Sequence, residues 1–237
     1  MITAFTDGSS RGNPGPGGWA AIVHMNGRVV ELGGHADDTT NNRMELSGAI
    51  NSAEWIHKNA KTPDGSYDDV TIKSDSKYVI QGITSWVKGW KQNGWKTAGK
   101  KDVGNRDLWE ALDASVRGLG ISWVHVDGHA GVAGNERCDE IATGFADGTD
   151  VVLYDGPSDS YTIDLFAAAP VAAMNAKKAS KSRKTGPAYS YLSFVDGEVQ
   201  RHATWAECEA RVKGKRAKFK KAMSAAEEVE ILQSWAV

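Results

Sequence analysis

Residues 6–18, TDGSSRGNPGPGG, constrain the fold more strongly than any other segment of the chain. One carboxylate, Asp7, is followed within eleven residues by five glycines and two prolines. Glycine allows backbone conformations and close approaches that other residues do not. The segment therefore indicates that another chain or ligand comes close to the backbone beside Asp7, where side chains would leave no room.

Apolar runs and turn signals around this segment predict an α/β fold. Strands are predicted at residues 2–6, 19–25, 28–34, 70–73 and 121–126, with Asn26 and Gly27 as a type I′ hairpin signal. Helices are predicted at residues 44–58, from Ser76 onward, at 105–117 and at 134–145. Strands interrupted by helices in this order imply a mixed five-stranded sheet with helices on its faces.

Charge divides the chain into an acidic body and a basic tail. Residues 171–237 carry 13 Lys and Arg against 7 Asp and Glu, whereas residues 1–170 have a net charge of −8. This asymmetry favours a polyanionic partner that one part holds and another part modifies. A basic tail that only aids solubility is the alternative.

Four regions are predicted along the chain. Residues 1–147 form the α/β domain, and 148–170 are an extension without a clear structure, although VVLYDG and YTIDLF could pack on that domain. Residues 171–187, rich in Ala, Lys and Ser, are predicted as a flexible linker. Residues 188–237 are predicted as a small α/β module with a three-stranded sheet, in which Thr204 and Ser224 cap helices.

Several classes of protein do not fit the sequence. Cys138 and Cys208 are the two cysteines and lie far apart, which disfavours a disulfide or a zinc site and suits a reducing cytoplasm. The start, MITAFTDGSS, lacks the features of a signal peptide, and no apolar run approaches about 18 residues. We therefore expect a cytoplasmic protein without a membrane segment.

Four carboxylates are candidates for a shared site. Asp7 follows the first strand and Asp75 the fourth, and a right-handed crossover between parallel strands would bring both to one sheet edge. Glu45, in the first turn of a helix, and Asp139, in the first half of another, are candidates to face that edge. Oxygen ligands suit Mg²⁺ or Mn²⁺, and two such ions roughly 4 Å apart would hold a phosphodiester. Four unrelated surface acids are the alternative, which spacing alone leaves open.

The sequence around these acids resembles the signature blocks of bacterial type 1 ribonuclease H. The blocks are FTDGSSRGNPGPGGWAAI, TTNNRMEL, SDSKYV, GHAG and NERCDE, in this order, and the resemblance covers about residues 2–145. It implies a ribonuclease H-like fold and two-metal hydrolysis of the RNA strand of RNA–DNA hybrids, leaving 5′-phosphate and 3′-hydroxyl ends. It also implies that Asp7, Glu45, Asp75 and Asp139 bind the metal ions. His129, between glycines on a loop, would assist proton transfer or product departure.

The same resemblance implies how the glycine-rich segment meets the substrate. The segment would pass under the RNA backbone and present amides to the 2′-hydroxyls, which distinguish RNA from DNA. Asn13 and Asn42 would contact the hybrid, and Thr40 with Asn13 would hold a phosphate of the DNA strand. Turn chemistry before Pro14 also explains Asn13, and both interpretations are compatible.

A basic and aromatic segment follows the fourth strand. Residues 86–106, WVKGWKQNGWKTAGKKDVGNR, carry six Lys or Arg against one Asp and resemble the substrate-binding basic protrusion of the family. This implies substrate contacts by Trp86, Lys88, Lys91, Lys96, Lys100 and Lys101. The alternative is that the tryptophans pack the protrusion and the lysines only solvate it; Trp90 and Trp95 are predicted to pack.

The tail segment TWAECEARVKGKRAKFKKA resembles the hybrid-binding, or viroplasmin-like, domain that accompanies many type 1 ribonucleases H. This implies nucleic-acid contacts by Trp205, Phe219, Lys220 and Lys221. The segment departs from the family pattern, because it is shortened before FKK, has Ala222 in place of an aromatic residue, and follows the catalytic domain instead of preceding it. A glycine usual in its first hairpin is also missing. The alternative is that Trp205 and Phe219 form the core of a small domain.

Two other functions compete with that of a hybrid-cleaving enzyme. A non-catalytic protein that binds hybrid or duplex RNA is disfavoured because all four carboxylates are present. A related metal nuclease that acts on DNA is disfavoured by the intact TTNNRMEL block and the basic segment. The expected partner is the RNA–DNA hybrid, and we expect a monomer without an obligate protein partner.

Overall fold

The structure is a computed structural model that describes residues 1–62, 65–128, 130–167, 188–195, 197–215 and 217–235. The chain divides into two compact units, Met1–Pro170 and Val171–Val237. The predicted linker, residues 171–187, lies outside the described residues.

The first unit is built on a six-stranded mixed sheet. Its strands are β1 (Ile2–Ser10), β2 (Gly15–Met25), β3 (Arg28–Thr39), β4 (Val70–Ser74), β5 (Ser122–His125) and β6 (Asp155–Pro157), in the order β5-β4-β1-β2-β3-β6. β1, β2 and β3 form an antiparallel meander, whereas β4 pairs in parallel with both β1 and β5. The predicted mixed sheet is confirmed. The predicted number of five strands is corrected to six, because the extension adds β6 beside β3.

The first two strands run into the glycine-rich segment instead of stopping before it. β1 continues to Ser10 and β2 begins at Gly15, so the predicted boundaries at residues 6 and 19 were wrong. A Cβ atom at Gly8 would overlap the backbone nitrogen of Glu45, and one at Gly18 would overlap the carbonyl oxygen of Ala142. Gly8 and Gly18 therefore let two helices of the same unit approach the strands closely, whereas the sequence had suggested that another chain or a ligand takes this space.

Within the described part of this unit, the structure has the helices α1 (Asn41–Asn59), α2 (Lys77–Gln81), α3 (Val87–Gln92), α4 (Arg106–Ser115) and α5 (Ala133–Ala146), with a π-helical turn at Gly82–Trp86. The Thr40 hydroxyl accepts from the amide of Arg43 and caps α1. α1 packs on one face of the sheet, where Ile2, Val23 and Ile56 are buried, and α5 covers the other face beside Phe5 and Ile22. None of the helices in the described ranges combines the length and hydropathy that crossing a membrane requires.

The extension belongs to the first unit. Tyr161, Ile163 and Leu165 pack on the cluster around Phe5, and the fully buried Glu31 accepts hydrogen bonds from the hydroxyl of Tyr161 and the amide of Tyr154, at 2.6 and 2.9 Å. Arg137 of α5 completes this network through an ion pair with Glu31 at 2.8 Å. The extension thus ties β3 to α5.

The second unit contains a three-stranded antiparallel sheet, as predicted. Its strands β7 (Ser190–Val195), β8 (Glu198–His202) and β9 (Ala217–Ala222) lie in the order β8-β7-β9, with helices α6 (Trp205–Val212) and α7 (Ala225–Trp235). Leu192 and Ala222 pack against α7, whereas Val195 and Ala217 pack against α6. Because side chains alternate along a strand, the two helices cover opposite faces of the sheet.

Candidate active site

Three carboxylates meet where the parallel pairing of β1 with β4 ends. Thr6 and Ser74 are partners in the parallel ladder, so the next residues, Asp7 and Asp75, emerge side by side. Glu45 reaches them from α1 because Gly8 lets that helix approach β1. One carboxylate oxygen of each of these three acids lies within 4.8 Å of the others. The structure therefore brings Asp7, Glu45 and Asp75 together.

Burial makes the ionised form of this group electrostatically unfavourable. Asp7 is 6% exposed and Glu45 is 7% exposed. Burial, followed by the charge of Asp75, raises the pKa of Asp7 to about 8, although the Gly8 amide donates to its Oδ1 at 2.7 Å. The pKa of Glu45 is also raised, first by burial and then by Asp7 and Asp75. Ionisation of both Asp7 and Glu45 is therefore unfavourable unless positive charge is present.

The donor set fits a divalent cation. All ligand atoms are carboxylate oxygens, which hard cations such as Mg²⁺ and Mn²⁺ prefer. Asn41 donates to Oε1 of Glu45 at 3.3 Å, but the buried Oε2 has no hydrogen-bond partner among the described residues. A bound cation would satisfy this atom and offset the repulsion between the carboxylates.

Asp139 lies near this group but outside its tightest part. It is half-buried on α5, and its charge is the smallest of the causes that raise the pKa values of Asp7 and Glu45. His129 lies outside the described residues. Its neighbour Gly128 abuts the site, since a Cβ atom there would overlap Oδ2 of Asp75.

Three of the predicted substrate contacts lie near the turn between β1 and β2, where the start of β2 pairs with the end of β3. Asn13 is exposed on the turn between β1 and β2, and Asn42 is exposed in the first turn of α1. Gly15 pairs with Thr39, which brings that turn beside Thr40. Thr40 is half-buried, and its hydroxyl already accepts a hydrogen bond from α1.

The basic segment carries an aromatic cluster with lysines at its surface. The ring centroids of Trp86 and Trp90 are 5.7 Å apart, and Trp90 also packs on the buried Trp109 at 5.6 Å. Trp86 is half-buried at the edge of this cluster, beside Tyr78. The five predicted lysines, Lys88, Lys91, Lys96, Lys100 and Lys101, are all exposed.

Two of those lysines have carboxylate partners. Lys91 forms an ion pair with Asp113 at 2.6 Å, and Lys96 forms one with Asp102. Asp113 belongs to α4 and lies 22 residues further along the chain. This partner could not be predicted from the sequence, because no local pattern relates the two residues.

The aromatic residues of the second unit lie at its surface. Trp205 is 41% exposed and Phe219 is 50% exposed, with ring centroids 5.4 Å apart, and Tyr191 lies 5.8 Å from Trp205. The alternative in which Trp205 and Phe219 form the core is wrong, because the buried residues are others, among them Leu192 and Trp235.

The lysines of β9 divide between its two faces. By strand alternation Lys221 shares the face of Phe219, which is the α6 side, whereas Lys220 lies on the α7 side with Lys218. Lys220 and Lys221 are both exposed. The sequence motif FKK therefore does not form one contiguous surface.

Further residues near the site were not anticipated. Asn41 orients Glu45, and its position four residues earlier on the same helix is a signal that could have found it. Arg43 holds Asp107 at 2.7 Å and so fixes α1 to α4. Arg11 forms a bidentate ion pair with Asp147, which lies 136 residues away in sequence.

Comparison with known proteins relates the first unit to one family. The family model described as RNase H matches residues 1–146. Curated proteins named Ribonuclease H are similar to the chain: one from a Cyanothece species is 49% identical over 145 residues, covering 61% of this chain and 88% of the relative. Another, from Maricaulis maris, is 51% identical over 141 residues, covering 60% of this chain and 90% of the relative.

A solved structure supports the same relationship. LC9-RNase H1, described as a type 1 RNase H with the type 2 active-site motif, is 29% identical with a TM-score of 0.56, covering 74% of this chain and 84% of that one. The family match ends before the extension and the second unit. Since that match spans more than half of the sequence and the curated relatives align over most of their length, the chain belongs to the ribonuclease H family of endoribonucleases.

Proposed function

We propose that this enzyme hydrolyses the RNA strand of RNA–DNA hybrids and leaves 5′-phosphate and 3′-hydroxyl ends. The observation that carries the proposal is the group of Asp7, Glu45 and Asp75. One carboxylate oxygen of each lies within 4.8 Å of the others, where the parallel pairing of β1 with β4 ends. The similarity to curated proteins named Ribonuclease H supports the assignment of substrate.

Two divalent cations would be held by Asp7, Glu45, Asp75 and Asp139, with Mg²⁺ as the ion and Mn²⁺ as a substitute. When bound, such ions supply an activated water and stabilise the charge on the leaving oxygen. The residues of the chain prepare the site for them. The Gly8 amide fixes Oδ1 of Asp7, and Asn41 fixes Oε1 of Glu45, so both carboxylates are oriented in advance.

His129 would hold or release a proton beside the reacting phosphate, or assist departure of the product. The position of Gly128 supports this role, because this residue directly precedes His129 in sequence and lies against Asp75. Histidine suits the role because its ordinary pKa lies close to neutral pH.

Recognition of the hybrid would use two regions of the first unit, the glycine-rich turn and the basic segment. Asn13, Thr40 and Asn42 would contact the two strands near the glycine-rich turn, where backbone amides can meet 2′-hydroxyls. Trp86 would contact a sugar of the DNA strand and the basic segment its phosphates. The phosphates would be contacted by the exposed lysines Lys88, Lys100 and Lys101. Lys91 and Lys96 are exposed as well, and each would exchange its carboxylate partner for a phosphate.

The second unit would act as a hybrid-binding module that tethers the duplex. The exposed rings of Trp205 and Phe219 offer a stacking surface, and Lys221 adds charge on the same face of the sheet. Lys220, on the opposite face, would add positive charge at the edge formed by β9. The region 171–237 carries a net charge of +6. Joined by the predicted linker 171–187, it would raise the local concentration of substrate at the first unit.

A cleavage assay with three substrates tests the proposed function. RNA–DNA hybrid, duplex RNA and duplex DNA of one sequence, each with either strand labelled, are incubated with the full chain and Mg²⁺ or EDTA. We expect cleavage of the RNA strand of the hybrid in Mg²⁺ only. Equal cleavage of duplex DNA, or binding of hybrid without any cleavage, would contradict the proposal and favour one of the two rival functions.

A further inference from the structure

The end of helix α5 packs against the strands that carry the glycine-rich turn. A Cβ atom at Gly18 would overlap the carbonyl oxygen of Ala142, and the hydroxyls of Thr143 and Ser9 are 3.4 Å apart. The last turns of α5 therefore lie directly beside β1 and β2, next to the turn that joins them.

A bidentate ion pair fastens the turn to this helix. Arg11, the first residue after β1, donates through Nε and Nη2 to the two carboxylate oxygens of Asp147, the residue that follows α5; the Nη2–Oδ2 distance is 2.6 Å. The amide of Arg11 also donates to the carbonyl of Pro16 at 2.7 Å across the turn. Side chain and backbone of Arg11 thus join the turn to α5 and close it internally.

The position of Asp147 is electrostatically unfavourable without this partner. Asp147 is the C-cap residue of α5, where the negative end of the helix dipole repels a carboxylate. Arg11 offsets that repulsion, and the planar geometry of two parallel hydrogen bonds fixes the orientation of both groups. The pKa of Asp147 is lowered chiefly by its hydrogen bonds from Arg11.

We propose that the Arg11–Asp147 ion pair is a clamp that holds the β1–β2 turn in its substrate-binding conformation, so that both are positioning residues. The inference rests on the proposed function, in which Asn13 on that turn contacts the hybrid. Since α5 also carries Asp139, one helix positions both a carboxylate of the site and the turn that receives the nucleic acid.

The chain contains a matched control for this pair. Arg28 and Asp155 form the same bidentate arrangement, at 2.7 and 2.8 Å, between β3 and β6. Arg28 and Asp155 are 56% and 53% exposed, compared with 44% and 42% for Arg11 and Asp147. The two pairs should therefore contribute similarly to stability, whereas the Arg28–Asp155 pair lies in no segment proposed to bind substrate.

The test is a double-mutant cycle in the full chain. Arg11→Gln, Asp147→Asn and the double variant are compared with Arg28→Gln, Asp155→Asn and their double, for KM and kcat on hybrid, for hybrid affinity and for melting temperature. We expect each single change in the clamp to raise KM and weaken affinity about two- to five-fold, with kcat nearly unchanged. The clamp double variant should be no worse than the singles, and the control pair should change neither KM nor affinity.

Different results would overturn the clamp. If Arg11→Gln weakens binding but Asp147→Asn does not, Arg11 contacts the substrate itself; Arg11→Lys, which keeps the charge but loses the bidentate geometry, should bind weakly if the clamp is real. Equal effects in both pairs would mean that Arg11 and Asp147 only stabilise the fold. If the wild-type chain fails to cleave hybrid, the proposed function fails, and the affinities of the same variants still decide the clamp.

Discussion

Asp7 holds its carboxylate where burial and a neighbouring acid both oppose ionisation. Its raised pKa, together with the buried Oε2 of Glu45, which lacks a hydrogen-bond partner among the described residues, gives the site a strong preference for positive charge. A substitution that removes the charge but keeps the shape of Asp7 therefore separates two effects, the binding of cations and the binding of nucleic acid.

Asp7→Asn should reduce hydrolysis of hybrid to background and leave hybrid affinity unchanged or improved. The amide removes a charge that the cations require and also reduces repulsion of the phosphates. Rates and affinities with Mg²⁺ measure both effects. Mg²⁺-dependent turnover close to that of the wild type would show that Asp7 is not a ligand.

Stability without metal should depend on pH through Asp7. Its pKa is about 8 in the folded chain and about 3.8 when unfolded, so between these values the folded state binds a proton that the unfolded state has lost. The free energy of unfolding therefore falls as pH rises through this range. Melting temperatures in EDTA should fall from pH 5 to pH 8, and should fall less in Asp7→Asn or with Mg²⁺. A wild-type slope equal to that of Asp7→Asn would contradict this assignment.

Sequence alone could place some of these residues and not others. Asp7 and Asp75 follow from the rule that parallel strands end at one sheet edge. Glu45 and Asp139 were candidates from their positions on helices, and the resemblance implied that all four acids share one site. The partners Asp113 and Asp147 could not be predicted, because each pairs with a cation distant along the chain through packing of complete helices.

Among the secondary-structure elements, the approach of α1 to β1 determines whether the site forms. The sequence predicted both elements but ended β1 at residue 6, because glycine counts against a strand when only local preference is considered. The extended strand is stabilised by its pairing with β2 as far as Ser10 and by the close packing of α1 at Gly8. The sixth strand was missed since β6 has only three residues and forms through pairing with β3.

Gly8→Ala should therefore cost both stability and activity. Its Cβ atom would overlap the backbone of Glu45 and push α1 away from β1. We expect a loss of about 1–3 kcal/mol in the free energy of unfolding, measured in urea, and a large fall in kcat.

Gly89→Ala is the matched control, because a Cβ atom there meets no atom within 4 Å in helix α3. It should stabilise the chain by up to about 1 kcal/mol. A Gly8→Ala enzyme with wild-type stability and kcat would show that close packing at this position is not required.

The two units of the chain should contribute separately, the first to catalysis and the second to affinity for the hybrid. A chain ending at residue 170 keeps the first compact unit, including the Glu31 network. It should remain folded and active with a higher KM for hybrid. Its affinity should also depend less steeply on salt, by about one unit of slope for each phosphate that the second unit no longer binds. Kinetics and affinity at several salt concentrations measure this.

Variants of the full chain distinguish the role of the rings from that of the charges. Trp205→Ala with Phe219→Ala should weaken binding at every salt concentration, whereas Lys220→Ala with Lys221→Ala should mainly reduce the salt slope. Val229→Ala, at an exposed apolar residue on α7, is the control and should change neither the affinity nor its salt dependence.

If the chain ending at residue 170 binds hybrid as tightly as the full chain, the second unit is not a hybrid-binding module. A chain ending at residue 147 should be much less stable, since Glu31 would lose Tyr154 and Tyr161.

The position of β9 at the edge of its sheet has a consequence that does not depend on nucleic acid. An edge strand exposes unpaired backbone groups that can recruit a strand from another copy, and charged side chains prevent this. Lys218, Lys220 and Lys221 occupy half of the six residues of β9. Replacing all three with threonine should turn this edge into a site of self-association, seen as a concentration-dependent rise in mass by light scattering. The lysines would then keep the protein dispersed when no substrate is present.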